Sequence, residues 1–282
     1  MTTLNVLTYN VCWECMSGET KQGSAVNYGI KCSKTKKKNG NNMCFGNVSK
    51  VASHTKFDLI GLQEANIKLT TNIIKNLGSS YKMVYSKSCK EHSIIIYNSN
   101  KLKKVGKRIF GDLDECGRPF LYQTFIDKNT NNLLVVGNFH GPHLNYEWEV
   151  KYINKIYDLI YKNSVLSKYV KYSKCKSNVK VIIFGDFNKE LKKSYKIRKT
   201  KKILIPINKN IKTSLNPNNL DKIKEGYYEK CIDNILISKN IKLINKCETL
   251  NSKFNNLLPT DFKLKYLNYT SDHRPITAKL LI

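Results

Sequence analysis

Carboxylates, amides and imidazoles recur in this chain at the ends of short apolar runs. Asn10 closes the first run in T-Y-N, Glu64 closes I-G-L-Q-E, and His140 follows G-N-F. Asp186 and Asn188 close I-I-F-G-D-F-N, Asp233 opens D-N-I-L-I-S, and Asp272 and His273 precede the last run in S-D-H-R-P-I. If the runs are strands of packed sheets, their ends gather at one rim. Hard oxygen donors of this kind suit Mg²⁺, or Mn²⁺ in its place, better than zinc. An ion held by carboxylates beside positioned imidazoles is equipment for metal-assisted hydrolysis. Each residue alone also has an ordinary explanation. An Asn after a strand is a turn residue, and G-D-F-N or S-D-H can cap a helix or a strand entry. The chemistry rests on all of them together, in this order.

The elements that must position these groups can be read from periodicity. Strands are expected over residues 4–9, 58–62, 82–85, 93–97, 120–126, 133–140, 179–185, 231–238 and 275–281, where apolar residues alternate or run together. Helices are expected near 48–54, over 67–77 and over about 147–162. In the last of these, Val150, Ile153, Ile156, Tyr157 and Ile160 form an apolar stripe. Strands outnumber helices and are often joined by short turns, which favours mixed or antiparallel sheets over a doubly wound parallel one. The segments at about 14–47, rich in Cys and Lys, and about 189–202, rich in Lys, look like loops. With neither repeat nor linker, one domain over residues 1–282 is expected, and a monomer.

Lys and Arg number 49 against 21 Asp and Glu, a formal net charge of +28. A field of that sign concentrates polyanions such as DNA or RNA. The abundance of Lys, Asn, Ile and Tyr, typical of an AT-rich genome, is an equal source of the same charge. In the 189–202 segment, Lys189, Lys192, Lys193, Lys196, Arg198, Lys199, Lys201 and Lys202 face one acid, Glu190. It reads as a flexible basic arm for backbone phosphates with Tyr195 as a stacking residue, or as a solvated loop. Residues 1–11 have neither a basic n-region nor a long apolar stretch, so an intracellular protein, cytoplasmic or nuclear, is expected. No apolar run approaches the ~20 residues that span a bilayer. Nine cysteines, an odd number, argue against a full disulfide framework. Cys12, Cys15, Cys32 and Cys44 cluster early, but their spacing matches no common zinc module. Free thiols are the favoured reading and a structural zinc the alternative.

T-Y-N, L-Q-E, G-D-F-N and S-D-H, in this order, resemble the signature of the endonuclease/exonuclease/phosphatase superfamily. That superfamily includes pancreatic deoxyribonuclease, apurinic endonucleases, sphingomyelinases, inositol polyphosphate phosphatases and deadenylases. The match runs from Leu4 to the C-terminus. It implies an α/β fold of two packed β-sheets flanked by helices, a four-layer sandwich, and a Mg²⁺-dependent phosphodiesterase. The resemblance casts Glu64 as the main metal carboxylate, with Asn10 and Asp272 completing or flanking the metal shell. It casts Asp186 as the residue that orients or deprotonates water, and Asn188 as a holder of a phosphate oxygen. His273 becomes the catalytic imidazole, oriented by Asp233. His140, with Glu91 behind it and Arg118 as a phosphate contact, matches the deoxyribonuclease-like branch.

The segment C-I-D-N-I-L-I-S lacks the W-C-D-R-I pattern of inositol phosphatases, and the cysteines of the 14–47 insertion lie outside the family pattern. The resemblance and the basic charge together point to a nuclease. The alternative is a phosphoesterase acting on a phospholipid or a small phosphoester.

Overall fold

The computed structural model describes residues 1–13, 16, 43–87, 91–113, 117–142, 152–154, 179–191, 193–197, 203–215, 228–249, 271 and 273–282. In chain order these hold β1 (Thr3–Asn10), α1 (Met43–Ser53), β2 (Leu59–Ala65), α2 (Ile67–Leu77), β3 (Tyr81–Tyr85) and β4 (His92–Asn98). Then follow β5 (Leu102–Asp112), β6 (Pro119–Asp127), β7 (Leu133–His140) and β8 (Lys180–Asp186). The remaining strands are β9 (Tyr195–Lys196), β10 (Ile203–Pro206), β11 (Ser214–Leu215), β12 (Tyr228–Lys230), β13 (Asp233–Ser238), β14 (Lys242–Leu243), β15 (Glu248–Thr249) and β16 (Ile276–Leu281).

Two seven-stranded sheets result. One runs β14-β16-β1-β2-β4-β3 with β15 also on β16, and the other runs β5-β6-β7-β8-β13-β10-β9. Both are mixed, because β1 and β2 are parallel, as are β7 and β8, among otherwise antiparallel pairs. Those parallel pairs matter for function. They send the C-terminal ends of β1, β2, β7 and β8 to one rim.

The sheets pack face to face through Leu4, Val6, Leu59, Ile95, Leu121, Phe125, Leu134, Val136, Ile182, Phe184, Ile235, Ile276 and Leu280, all fully buried. Gly61 lets the sheets approach closely, since a Cβ there would lie 2.5 Å from that of Phe184. The outer face of the first sheet is covered by α1 and α2. In α1, Phe45, Val48, Val51 and Ala52 recur at helical spacing and turn inward. Asn66 caps α2 by accepting from the Leu69 N–H at 2.7 Å, satisfying one of the free donors of the first turn. Gly78 ends it at φ 109°, a left-handed conformation that suits glycine, and donates to Ile74 O. Tyr152 and Ile153 are buried against the outer face of the second sheet. Of the expected 147–162 helix only residues 152–154 are described.

The sandwich expected from the sequence is therefore present. Strand β5 was not anticipated, because only Leu102 and Val105 of its eleven residues are buried and no period-two pattern survives. It is the edge of its sheet, where alternation is weakest. The arm expected over 189–202 is corrected in its described part. Leu191, Tyr195 and Ile197 are buried, and β9 pairs with β10. Tyr195 is thus a core side chain with no free face for a base. Lys192 and residues 198–202 lie outside the described residues, as does nearly all of the 14–47 insertion before Met43. Of the four early cysteines, Cys12 is buried and in no disulfide, Cys15 and Cys32 lie outside the described residues, and only the backbone of Cys44 is described. Among the described residues, no helix is long and apolar enough to cross a membrane.

Candidate active site

Along β1, β7, β8 and β13 the side chains facing the other sheet are apolar until the rim, where they turn polar. On β7, Leu134 and Val136 give way to Asn138 and His140, and on β8, Ile182 and Phe184 give way to Asp186. Register then brings them together: His140 pairs with Asp186 across β7 and β8, and Asp233 pairs with Asp186 across β13 and β8. Glu64 arrives differently. Regular alternation would send it outward with Leu62, into the helix-covered face. A register irregularity between Leu62 and Ala65, with Glu64 at φ 55°, turns the side chain back toward the rim. Left-handed backbone in a bulky residue costs about 1–2 kcal/mol. Of the four non-glycine residues with positive φ among the described residues, Cys12, Glu64 and Asn188 lie in or next to this cluster.

Asn10 is the bridge. Its Nδ2 donates to Glu64 Oε1 at 2.9 Å and to Asp186 Oδ2 at 3.0 Å, and its Oδ1 accepts from the Cys12 N–H at 3.0 Å. It thereby ties two carboxylates together, one from each sheet. The second Glu64 oxygen accepts from the Trp13 N–H at 2.7 Å. Burial opposes ionisation of Glu64, but His140 and Arg118, with these two donors, hold its pKa at about 2.

His140 Nδ1 lies 2.9 Å from Glu91 Oε1, and its Nε2 lies 3.4 Å from Glu64 Oε1 and 3.7 Å from Asp186 Oδ2. Burial disfavours the charged ring, yet the Glu91 and Glu64 carboxylates outweigh it and raise the His140 pKa. The Arg118 guanidinium is in close contact with the same imidazole and stands 3.6 Å from Glu91. On the other flank, His273 Nδ1 lies 2.7 Å from Asp233 Oδ2, and its Nε2 is 3.7 Å from Asp186 Oδ2. Burial, with the Asp186 charge, raises the Asp233 pKa against the pull of His273 and Thr213. Asn188 donates its N–H to Asp186 Oδ1 at 2.8 Å and its Nδ2 to Gly141 O. Ser271 orders the approach to His273, donating to Asn10 O and accepting the His273 N–H.

The structure brings together Asn10, Glu64, Glu91, Arg118, His140, Asp186, Asn188, Asp233 and His273. Asp272 lies outside the described residues. Two of the motifs also carry a buried polar network. Gln63 Nε2 donates to Asn138 Oδ1 at 2.6 Å and to Thr8 Oγ1 at 3.1 Å, while Asn138 Nδ2 donates to Leu62 O and Ile94 O, each at 2.8 Å. This buried chain crosses from one sheet to the other directly below Glu64 and His140. Its signal was the polar residue inside two otherwise apolar runs, L-Q-E and G-N-F-H.

The donor set fits a hard divalent ion. Glu64, Glu91 and His140 form one group of possible ligands, and Asp186, Asp233 and His273 another, with the ligand atoms of each mutually within 4.8 Å. Glu91 is taken up by His140 and Asp233 by His273. The Glu64 and Asp186 carboxylates, bridged by Asn10, bring hard oxygens from both groups to the same rim.

No family model matches this chain. It is 31% identical over 195 residues to an uncharacterized protein of Acanthamoeba polyphaga mimivirus, and it spans about a third of that relative's length, 35%, with 66% of its own. Solved structures match along the whole chain. An endonuclease/exonuclease/phosphatase of Bacteroides vulgatus aligns at TM-score 0.63 and 16% identity, covering 100% of both chains. A mannosyl-6-phosphatase of Bacteroides thetaiotaomicron aligns at 0.61 and 18%, covering 99% of this chain and 100% of its own. D. rerio TDP2, solved with a single-strand DNA product, aligns at 0.58 and 13%, covering 100% of both. The sandwich, its rim and these alignments agree: the chain has the endonuclease/exonuclease/phosphatase fold.

Proposed function

We propose that this protein is a Mg²⁺-dependent phosphodiesterase that hydrolyses nucleic acid by in-line attack of water. The carrying observation is the convergence of two imidazole Nε2 atoms, each at 3.7 Å, on the Asp186 oxygen that Asn10 ties to Glu64.

Glu64, with Asp272 expected beside it, would hold the ion, whose charge would neutralise that building on the phosphate oxygens. The rest falls to the chain. Asp186, fixed by the Asn10 amide and the Asn188 N–H, accepts a proton from the attacking water. Asp233 accepts from His273 Nδ1 and so presents its Nε2 to the phosphate, the usual task of a carboxylate behind an imidazole. His140, supported by Glu91, donates to a second oxygen, and Arg118 adds fixed positive charge. Asn188 orients the phosphate.

The nucleic-acid reading draws on the +28 charge and on the likeness to a protein solved with a DNA strand. A small phosphoester is the second reading, favoured by the similar mannosyl-6-phosphatase. A panel of labelled DNA, RNA, abasic duplex, sphingomyelin and a sugar phosphate, each with Mg²⁺ and with EDTA, tests both. Metal-dependent cleavage of a polynucleotide is expected. Turnover of the sugar phosphate or sphingomyelin alone would refute the nuclease assignment.

A further inference from the structure

β5 is a long edge strand with a composition that edge protection does not explain. Lys103, Lys104 and Lys107 are exposed along it, as lysines on a free edge often are, since they discourage pairing with another chain. Apolar exposure does the opposite, yet Ile109 and Phe110 are both 37% exposed on the same strand. They rank among the few large hydrophobic side chains at the surface of the described residues.

Arg108 lies in the irregular stretch of β5 between Val105 and Ile109, two residues before Phe110. The Arg108 guanidinium carbon stands 5.2 Å from the Phe110 ring centre and 4.6 Å from that of Tyr85. Tyr85 ends β3, the edge of the other sheet, so Arg108 reaches across the open side of the sandwich. His92 continues the surface, edge-on to Tyr85 at 6.0 Å, with its Nδ1 on Ser86 O at 2.8 Å. A guanidinium held over aromatic rings keeps its charge and presents a flat, partly apolar face.

This surface adjoins the candidate active site. His92 follows Glu91, whose carboxylate is 2.9 Å from His140. At the end of β5, the Leu113 N–H donates to Arg118 O at 2.7 Å, and Arg118 contacts His140. Ser93 Oγ donates to Pro119 O at 2.9 Å, joining β4 to β6 between the two regions. A strand with its scissile phosphate beside His140 would pass Arg118 and meet this surface next.

We propose that Tyr85, Arg108 and Phe110 form a stacking platform for an unpaired base of single-stranded nucleic acid, beside the scissile phosphate, with Lys103, Lys104 and Lys107 following the backbone. Charge complementarity and continuity with the Glu91–Arg118 wall select this occupant. A base offers a π-face to Phe110 and Arg108, and its phosphates answer the lysines. The inference rests on the nuclease reading and adds single-strandedness to it.

The test measures binding of a labelled short oligothymidylate with Mg²⁺, in a His273→Ala background so that the probe survives. Phe110→Ala and Arg108→Gln should each weaken binding about tenfold, within the range of base–aromatic stacking. Phe110→Trp should restore it, which a merely structural role would not predict. Changing Lys103 and Lys104 together to Ser should flatten the salt dependence. In otherwise unaltered protein, Phe110→Ala should raise KM for the oligonucleotide about tenfold relative to its effect on bis(4-nitrophenyl) phosphate. Unchanged affinity in both Phe110→Ala and Arg108→Gln, or a loss that Phe110→Trp does not recover, overturns the platform. If the parent protein cleaves oligonucleotides in that case, the nuclease reading stands without it. If the parent neither binds nor cleaves them, both fall.

Discussion

His273 Nδ1 lies 2.7 Å from Asp233 Oδ2, and Asp233 is itself the direct cross-strand partner of Asp186. One antiparallel register thus places the carboxylate that orients an imidazole beside the carboxylate that this imidazole faces.

Because Asp233 holds the ring but does not touch substrate, the two positions should separate kinetically. His273→Ala is expected to reduce kcat by about 10²–10⁴-fold while leaving metal affinity little changed. Asp233→Asn should be milder but still clearly damaging. Steady-state rates with titration calorimetry for Mn²⁺ check this. A near-native rate in His273→Ala would transfer the role to His140 alone.

Glu64 makes a separable prediction about metal. Glu64→Gln retains a side chain of the same size but loses the charge, so Mn²⁺ binding and turnover should both collapse while the circular dichroism spectrum persists.

The same residue predicts an acid limb of stability. Its pKa is depressed, from 4.5 to about 2, so the ionised form stabilises the fold at neutral pH. That contribution is present above about 4.5 and is lost as pH falls toward 2. In EDTA, denaturant midpoints of the parent should therefore fall more steeply over this window than those of Glu64→Gln. Parallel curves would contradict the assignment.

The Gln63–Asn138 bridge predicts coupling between stability and catalysis. Asn138→Leu removes the partner of Leu62 O, Ile94 O and Gln63 Nε2 within a closed interface, which should cost about 1–3 kcal/mol for each group left unsatisfied. Asn138→Asp keeps an acceptor for Gln63 but buries a carboxylate against the two carbonyl oxygens, and should cost at least as much as Asn138→Leu. Denaturant unfolding with kcat measurement tests this. A loss of stability with kcat intact would show that the bridge holds the sheets together without positioning Glu64 or His140.

Burial raises the thiol pKa of Cys231 to about 11 and that of Cys247 to about 12. Both neutral thiols therefore stabilise the fold below the ordinary 9.0, and that contribution is lost as pH climbs through 11 to 12. At pH 8 neither should react with iodoacetamide until the protein is unfolded, as mass spectrometry of alkylated peptides would reveal. Rapid native modification of Cys231 would contradict its burial.

Much of this protein was legible in its residues. The runs at 67–77 and 133–140 have the bounds of α2 and β7, because helical spacing and strand continuity are local properties. The ordered motifs named the rim residues, since a carboxylate or imidazole ending an apolar strand has few reasons to be there. What sequence could not supply was everything decided by contact between distant strands. Glu64 would point toward the helices on simple alternation, and only the bulged, left-handed turn aims it at Asp186. Gln63 and Asn138 are 75 positions apart, so their bond exists only once the sheets have met. Tyr195 reads as an exposed aromatic among lysines, yet a short edge pairing buries it. Arg108 and Phe110 sit in a segment with no strand periodicity, because an edge exposed to water on several sides imposes none. Local propensity and pattern determined which elements form, and long-range register decided which side chains meet.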